Sequence, residues 1–129
     1  MSKVIINTTN APAPIGPYNQ AVFVESTQTL YVSGQIAIDP SSGELIMGDI
    51  RRETGQVMKN LKAILNEANM DFQNIVKCSI FISNMDNFGA INEVYGEYFQ
   101  NDPPARETVE VSCLPKKVNV EISCIAVKF

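Results

Sequence analysis

Two charged residues stand where an apolar strand would not by itself place them. Arg106 follows Pro103, Pro104 and Ala105 and opens a run through Glu107, Thr108, Val109, Glu110 and Val111, while Glu121 lies between Val120 and Ile122. A charge in such a run must face water, find a partner, or serve a ligand. If both serve a ligand, the chemistry is that of a small organic acid. A guanidinium matches a carboxylate through two parallel hydrogen bonds, and a nearby glutamate can order a water and exchange protons with it. A mutual ion pair, tying the two runs or an interface together, explains the same residues without any ligand. Tyr18 and Gly34 join the candidates. Tyr18 closes a loop stiffened by Pro12, Pro14 and Pro17, which fix φ and withhold donors; covering a core edge is the alternative role. Gly34 interrupts a β-branched strand, which points either to a bulge or to close approach of a ligand.

What is missing narrows the chemistry further. The chain has no histidine, so no Ser-His-Asp or Cys-His relay can be built, nor a zinc site using histidine. Cys78, Cys113 and Cys124 are an odd number without CxxC spacing and read as reduced residues of a cytosolic protein. Position, polarity and proton transfer remain, equipment suited to hydrating an already reactive electrophile such as an imine. The net charge of −4, with ten scattered basic residues, offers no basic stripe for phosphates. The uncharged stretch from Val4 to Val24 contains three prolines and cannot be a spanning helix of about 20 apolar residues. The start lacks the pattern of a secretory signal, so a cytoplasmic protein that keeps its N-terminus is expected.

The elements that must position these residues follow from periodicity. Strands are predicted at Lys3–Asn7, Gln20–Glu25 and Thr29–Ile38. In the third, Leu30, Val32, Gly34, Ile36 and Ile38 share one face, and Tyr31, Ser33, Gln35 and Ala37 the other. Asp49 caps a helix to about Asn69, with Ile50, Val57, Leu61, Ile64, Leu65 and Ala68 on its apolar stripe and Arg51, Arg52, Glu53, Lys59, Lys62 and Glu67 mostly off it. A strand at Ile75–Ile82 places Cys78 in the core. A second helix at about Asn87–Phe99 turns Phe88, Ile91, Tyr95, Tyr98 and Phe99 inward, and Asn92 reads as an exposed asparagine. The last two runs, Pro103–Val111 and Val118–Val127, are expected to pair as a hairpin around Ser112–Lys117. The order predicts one α+β domain over residues 1–129, a mixed or largely antiparallel sheet with two helices on one face. At this length about two thirds of the unfolded surface should be buried.

Four segments in order carry a resemblance: Ala13–Gln20, Val32–Ile36, Ile91–Tyr95, and Pro104-Ala105-Arg106 running through Leu114-Pro115-Lys116 to Val120-Glu121-Ile122. Together they span almost the whole chain, which resembles the reactive-intermediate deaminase family (RidA/YjgF). The resemblance implies a chorismate-mutase-like fold assembled as a homotrimer with sites at subunit interfaces. It implies hydrolysis of 2-enamine/2-imine acids, such as 2-iminobutanoate and 2-iminopropanoate, to 2-oxo acids and ammonia, without cofactor or metal. On that pattern Arg106 would hold the substrate carboxylate, assisted by the backbone N–H of Thr108. Glu121 would place the water and return a proton to the departing ammonia. The Tyr18 hydroxyl would lie near the imine, and Ser33, Gly34 and Asn92 would line the pocket. The chain departs from its relatives at four positions: Thr108 where many have cysteine, Glu107 for a small hydroxyl residue, Cys113 for arginine, and Lys117 for aspartate. The resemblance also leaves two rivals, a regulatory module that binds a 2-oxo acid without turnover and an RNA-cleaving translation inhibitor. Net acidity and the lack of histidine weigh against the second.

Overall fold

The computed structural model describes residues 2–129. The chain forms β1 (Lys3–Ile6), β2 (Ala21–Val24), β3 (Thr29–Gln35), α1 (Ile50–Glu67), β4 (Ile75–Ile82), α2 (Phe88–Gly96), β5 (Ala105–Glu110) and β6 (Val120–Val127). One mixed sheet runs in the order β1-β2-β3-β6-β4-β5. Among the described residues only β4 and β5 pair in parallel, joined by the crossover through α2. Both helices contribute to one core on one face of the sheet.

The expected hairpin is not formed: β4 lies between β5 and β6. The reason is visible at the end of β4. The Val111 N–H donates to the Ile82 carbonyl (2.8 Å) on one side, and the Ser83 N–H donates to the Asn119 carbonyl (3.1 Å) on the other. The chain between them passes beyond the end of β4 and returns as its antiparallel neighbour. The β6 residues Val120, Ile122, Cys124 and Ala126 are all buried, as suits a strand in the middle of the sheet.

In α1 the Asp49 carboxylate caps the first turn, accepting from the N–H groups of Arg51 (2.9 Å) and Arg52 (3.4 Å). Val57, Met58, Leu61, Ile64 and Leu65 are fully buried, each stabilising the fold by about 1.5–3 kcal/mol. Glu53, expected off the stripe, is instead 0% exposed. Its carboxylate accepts from the backbone N–H and the side-chain amide of Asn119, both at 2.8 Å. A buried carboxylate is tolerated where its oxygens are bonded, and this one ties α1 to the start of β6. Asn60 is buried likewise, donating to the carbonyls of Ile36 and Ile38 at 3.0 Å.

The alternation expected along Thr29–Ile38 holds only to Val32. Val32 faces Cys124 but Gln35 faces Ile122, so Ser33 and Gly34 together occupy the space of one residue, a β-bulge. Beyond it the faces exchange. Gln35 and Ala37 turn to the interior, and Ile36 joins Leu114 and Val118 in a small second core.

Candidate active site

The register decides which candidate residues can meet. Arg106 pairs with Cys78 and Glu121 with Phe81. Positions 78 and 81 of one strand point to opposite faces of a pleated sheet. Arg106 is therefore on the helix side and Glu121 on the other. The mutual ion pair within one chain does not exist, and the candidates form two groups.

The first group surrounds a cavity of about 330 Å³, walled by Pro12, Ala13, Ile15, Ile36, Ile38 and Pro115 and holding Tyr18, Ser33, Gly34 and Glu121. The bulge brings Gly34 against Glu121. A Cβ at Gly34 would overlap the carboxylate and stand 2.9 Å from its Cδ, so only glycine leaves room for this rotamer. The Glu121 carboxylate has no hydrogen-bond partner among the described residues, and partial burial raises its pKa above the usual carboxylate range. The Ser33 hydroxyl is engaged, donating to the Asn19 carbonyl at 2.6 Å. Tyr18 is 46% exposed, and its hydroxyl accepts from the Ile15 N–H at 3.3 Å.

A residue that the sequence reading passed over holds this wall in place. Gln20 is buried; its side-chain amide donates to the carbonyls of Thr8 (3.0 Å), Ala11 (3.3 Å) and Pro12 (2.9 Å), and its side-chain carbonyl accepts from the Thr8 N–H (2.7 Å). Prolines remove donors from their own loop, so the loop's carbonyls need a donor from elsewhere. A glutamine directly beside a proline-rich segment was the available signal.

The second group lies on the helix side of the edge strand β5. The Arg106 Nη1 donates to Asn92 Oδ1 at 2.8 Å, which gives the mid-helix asparagine a function beyond exposure. The guanidinium sits over the rings of Tyr95 and Phe88, with centroid distances of 5.0 and 5.6 Å. No carboxylate pairs with Arg106 among the described residues. Thr108, two residues along, shares its face, and its hydroxyl oxygen is shut off from solvent without a hydrogen-bond partner. Glu107 points the other way, bonded to Ser79 and paired with Lys77 at 3.0 Å, and the bond from Ser79 leads in holding its carboxyl below the usual range.

The buried thiols are not poised to react. Burial pushes the Cys78 and Cys124 thiols up, away from the reactive thiolate. Among the described residues, no group of three or more cysteine, aspartate or glutamate side chains could hold a metal ion. No helix among the described residues is long and apolar enough to cross a membrane. What each group offers is simple: one a guanidinium without a carboxylate partner, the other a partly buried carboxylate beside an apolar cavity.

Known proteins share this shape and much of this sequence. The family model described as endoribonuclease L-PSP matches residues 8–128. A 2-iminobutanoate/2-iminopropanoate deaminase from Mus musculus is 48% identical over 124 residues, covering 96% of this chain and 90% of its own. The crystal structure of Escherichia coli TdcF with bound serine superposes with a TM-score of 0.91 at 38% identity, covering 98% of this chain and 99% of that one. RidA from a Psychrobacter species superposes with a TM-score of 0.92 at 37% identity, covering 97% and 99%. With a family match across nearly its whole length and relatives of this similarity, the chain belongs to the endoribonuclease L-PSP family, also called RidA/YjgF.

Proposed function

We propose that the protein is a hydrolytic deaminase of 2-enamine/2-imine acids, working as a homotrimer whose sites each combine the two groups from neighbouring chains. The observation that carries this is the split itself. Arg106, suited to a carboxylate, and Glu121, suited to a water, stand on opposite faces of one sheet, so in this reading they serve one small substrate only where two copies meet. The face away from the helices supports such contact, since Tyr31 is 50% and Val109 40% exposed there. The deaminase name of the mouse relative supports the reaction.

In this reading Arg106 takes the substrate carboxylate on its open fork, with the Thr108 backbone N–H beside it. Glu121 from the neighbouring chain accepts a hydrogen bond from water and orients it toward the imine carbon. As the water oxygen bonds to that carbon, Glu121 takes one of the water's protons and passes it to nitrogen, where the C=N electron pair receives it. Glu121 then relays a second proton to nitrogen, the C–N bond breaks, and the carbon closes to a carbonyl. The products are a 2-oxo acid and ammonia, and the carboxylate ends as it began. Tyr18 offers its hydroxyl near the nitrogen, while Ser33, Gly34 and Asn92 shape the walls. The reading places the protein in the cytoplasm and gives it neither nucleic-acid nor membrane partners, as a net charge of −4 favours.

The test generates 2-iminobutanoate with a threonine dehydratase and follows its loss above the spontaneous rate. Acceleration is expected. Binding of 2-oxobutanoate without acceleration would make the protein a sensor instead, and tight, salt-sensitive RNA binding would favour the nuclease reading. Mixed subunits test the shared site. Arg106→Ala and Glu121→Gln proteins, each expected to keep only a small residual rate, are unfolded together and refolded in equal amounts. Random assembly leaves one half times one half, about a quarter, of the interfaces with both natural residues, and activity should return to about that fraction. No recovery would place the whole site within one chain.

A further inference from the structure

We propose that α2 is the device that fixes Arg106, and that Tyr95 is a positioning residue that sets substrate affinity through its ring rather than its hydroxyl. The inference rests on Arg106 being the carboxylate binder. Phe88, Asn92 and Tyr95 stand four and three residues apart, the spacing that stacks side chains on one helix face. All three meet the same guanidinium: Asn92 takes an N–H at 2.8 Å, and the two rings lie 5.0 and 5.6 Å from its carbon. An arginine offers five N–H donors, and one acceptor on one edge leaves the rest for a substrate.

The ring of Tyr95 cannot wander. Tyr95 is 5% exposed and packs on Phe99 at 4.7 Å between centroids, and Phe99 packs edge-on against Phe72 at 5.5 Å. The core therefore fixes the aromatic surface on which Arg106 rests. The hydroxyl contributes no comparable anchor. It is buried, has no satisfactory hydrogen-bond partner, and lies beside the Cys78 thiol. Without the aromatic surface, a long side chain on an edge strand would keep its charge but lose its set direction. A carboxylate would then have to order it on binding, which weakens affinity more than the later chemical step.

The experiment measures KM and kcat for 2-iminobutanoate and the Kd of 2-oxobutanoate as an unreactive probe. Tyr95→Leu should raise KM and Kd together by about tenfold, with kcat changed by less than about threefold. Tyr95→Phe should restore both constants. Phe88→Leu, at a partly buried site, should raise them by about threefold. A folded Tyr95→Leu protein with unchanged KM and Kd would overturn the proposal, as would Tyr95→Phe behaving like Tyr95→Leu. If Tyr95→Leu does not fold, Phe88→Leu decides, and unchanged constants there would overturn it. Should the natural protein neither hydrolyse the imine nor bind the oxo acid, the substrate reading falls, and NMR of the Arg106 Nε–H judges the clamp alone. A ring-current shift retained in Tyr95→Phe and lost in Tyr95→Leu, or in Phe88→Leu if that protein does not fold, supports it; a shift that ignores the ring overturns it.

Discussion

Replacing Gly34 by alanine would displace the Glu121 carboxylate without touching its charge. The φ of Gly34 lies outside the left-handed region, so an L-residue can adopt this backbone. The cost is local: the new methyl would overlap Glu121 Oε2 and stand 2.9 Å from Cδ and 3.0 Å from Cγ. Ordinary carbon contacts need about 3.5–4.0 Å, so the carboxylate must swing away by about 1 Å. Glutamate has the freedom to do so at a cost of about 0.5–1.5 kcal/mol, while alanine in place of glycine regains about 0.5–1 kcal/mol of chain entropy. Melting temperature should therefore move by only a few degrees. Turnover should not be spared, since a misplacement of about 1 Å can cost about a hundredfold. The assay is kcat for 2-iminobutanoate above the spontaneous rate, with melting temperature and sedimentation on the same sample. A Gly34→Ala protein that is folded, assembled and fully active would refute the claim that Glu121 acts from this position.

Arg106→Ala should lower kcat/KM by about a hundredfold or more with little loss of stability, since the loss of a charged hydrogen bond of about 1.5–3 kcal/mol is compounded by misplacement; Arg106→Lys should restore little, and steady-state kinetics with thermal melts check both. Because burial raises the Glu121 pKa, the rate should fall on acidification with a midpoint above the usual carboxylate range, and Glu121→Gln should remove that limb from the pH–rate profile. The sign for stability is opposite: the raised carboxyl favours the fold below its unfolded pKa, and this contribution is lost as pH rises through the folded value, so Glu121→Gln should level the melting temperature across that window. Glu53→Ala should strip the two Asn119 donors of their acceptor and cost about 1–3 kcal/mol for each group left buried and unpaired, read as a lower melting temperature at fixed protein concentration.

Much of the architecture was legible because it is local. The bounds of β4 were read from its alternation, the Asp49 cap from its residue type, and the Arg106 and Glu121 candidates from charges in apolar runs. The pairing of β5 was not legible, because two apolar strands flanking a turn have the same pattern whether they pair directly or admit a third strand between them. Glu53 was misread for a related reason. Periodicity places a carboxylate on a helix face but does not show that Asn119, far along the chain, is waiting to bond it. The separation of Arg106 from Glu121 was hidden with the β5 pairing, since it follows only from pairing each residue with its β4 neighbour.

The bulge links the fold to the site. Had β3 continued without it, Gly34 would have shared the helix face with Leu30 and Val32, and its missing side chain would have left a hole in the core. With Ser33 and Gly34 together opposite a single position, every residue after them changes face. Gln35 and Ala37 turn to the interior, and Ile36 reaches Leu114 and Val118. Gly34 is carried to the side where Glu121 lies, and its lack of a Cβ makes the space that the carboxylate occupies. The two explanations offered for that glycine, a bulge and a close approach, are therefore not alternatives. The bulge provides the approach, and the group that approaches is the carboxylate of Glu121.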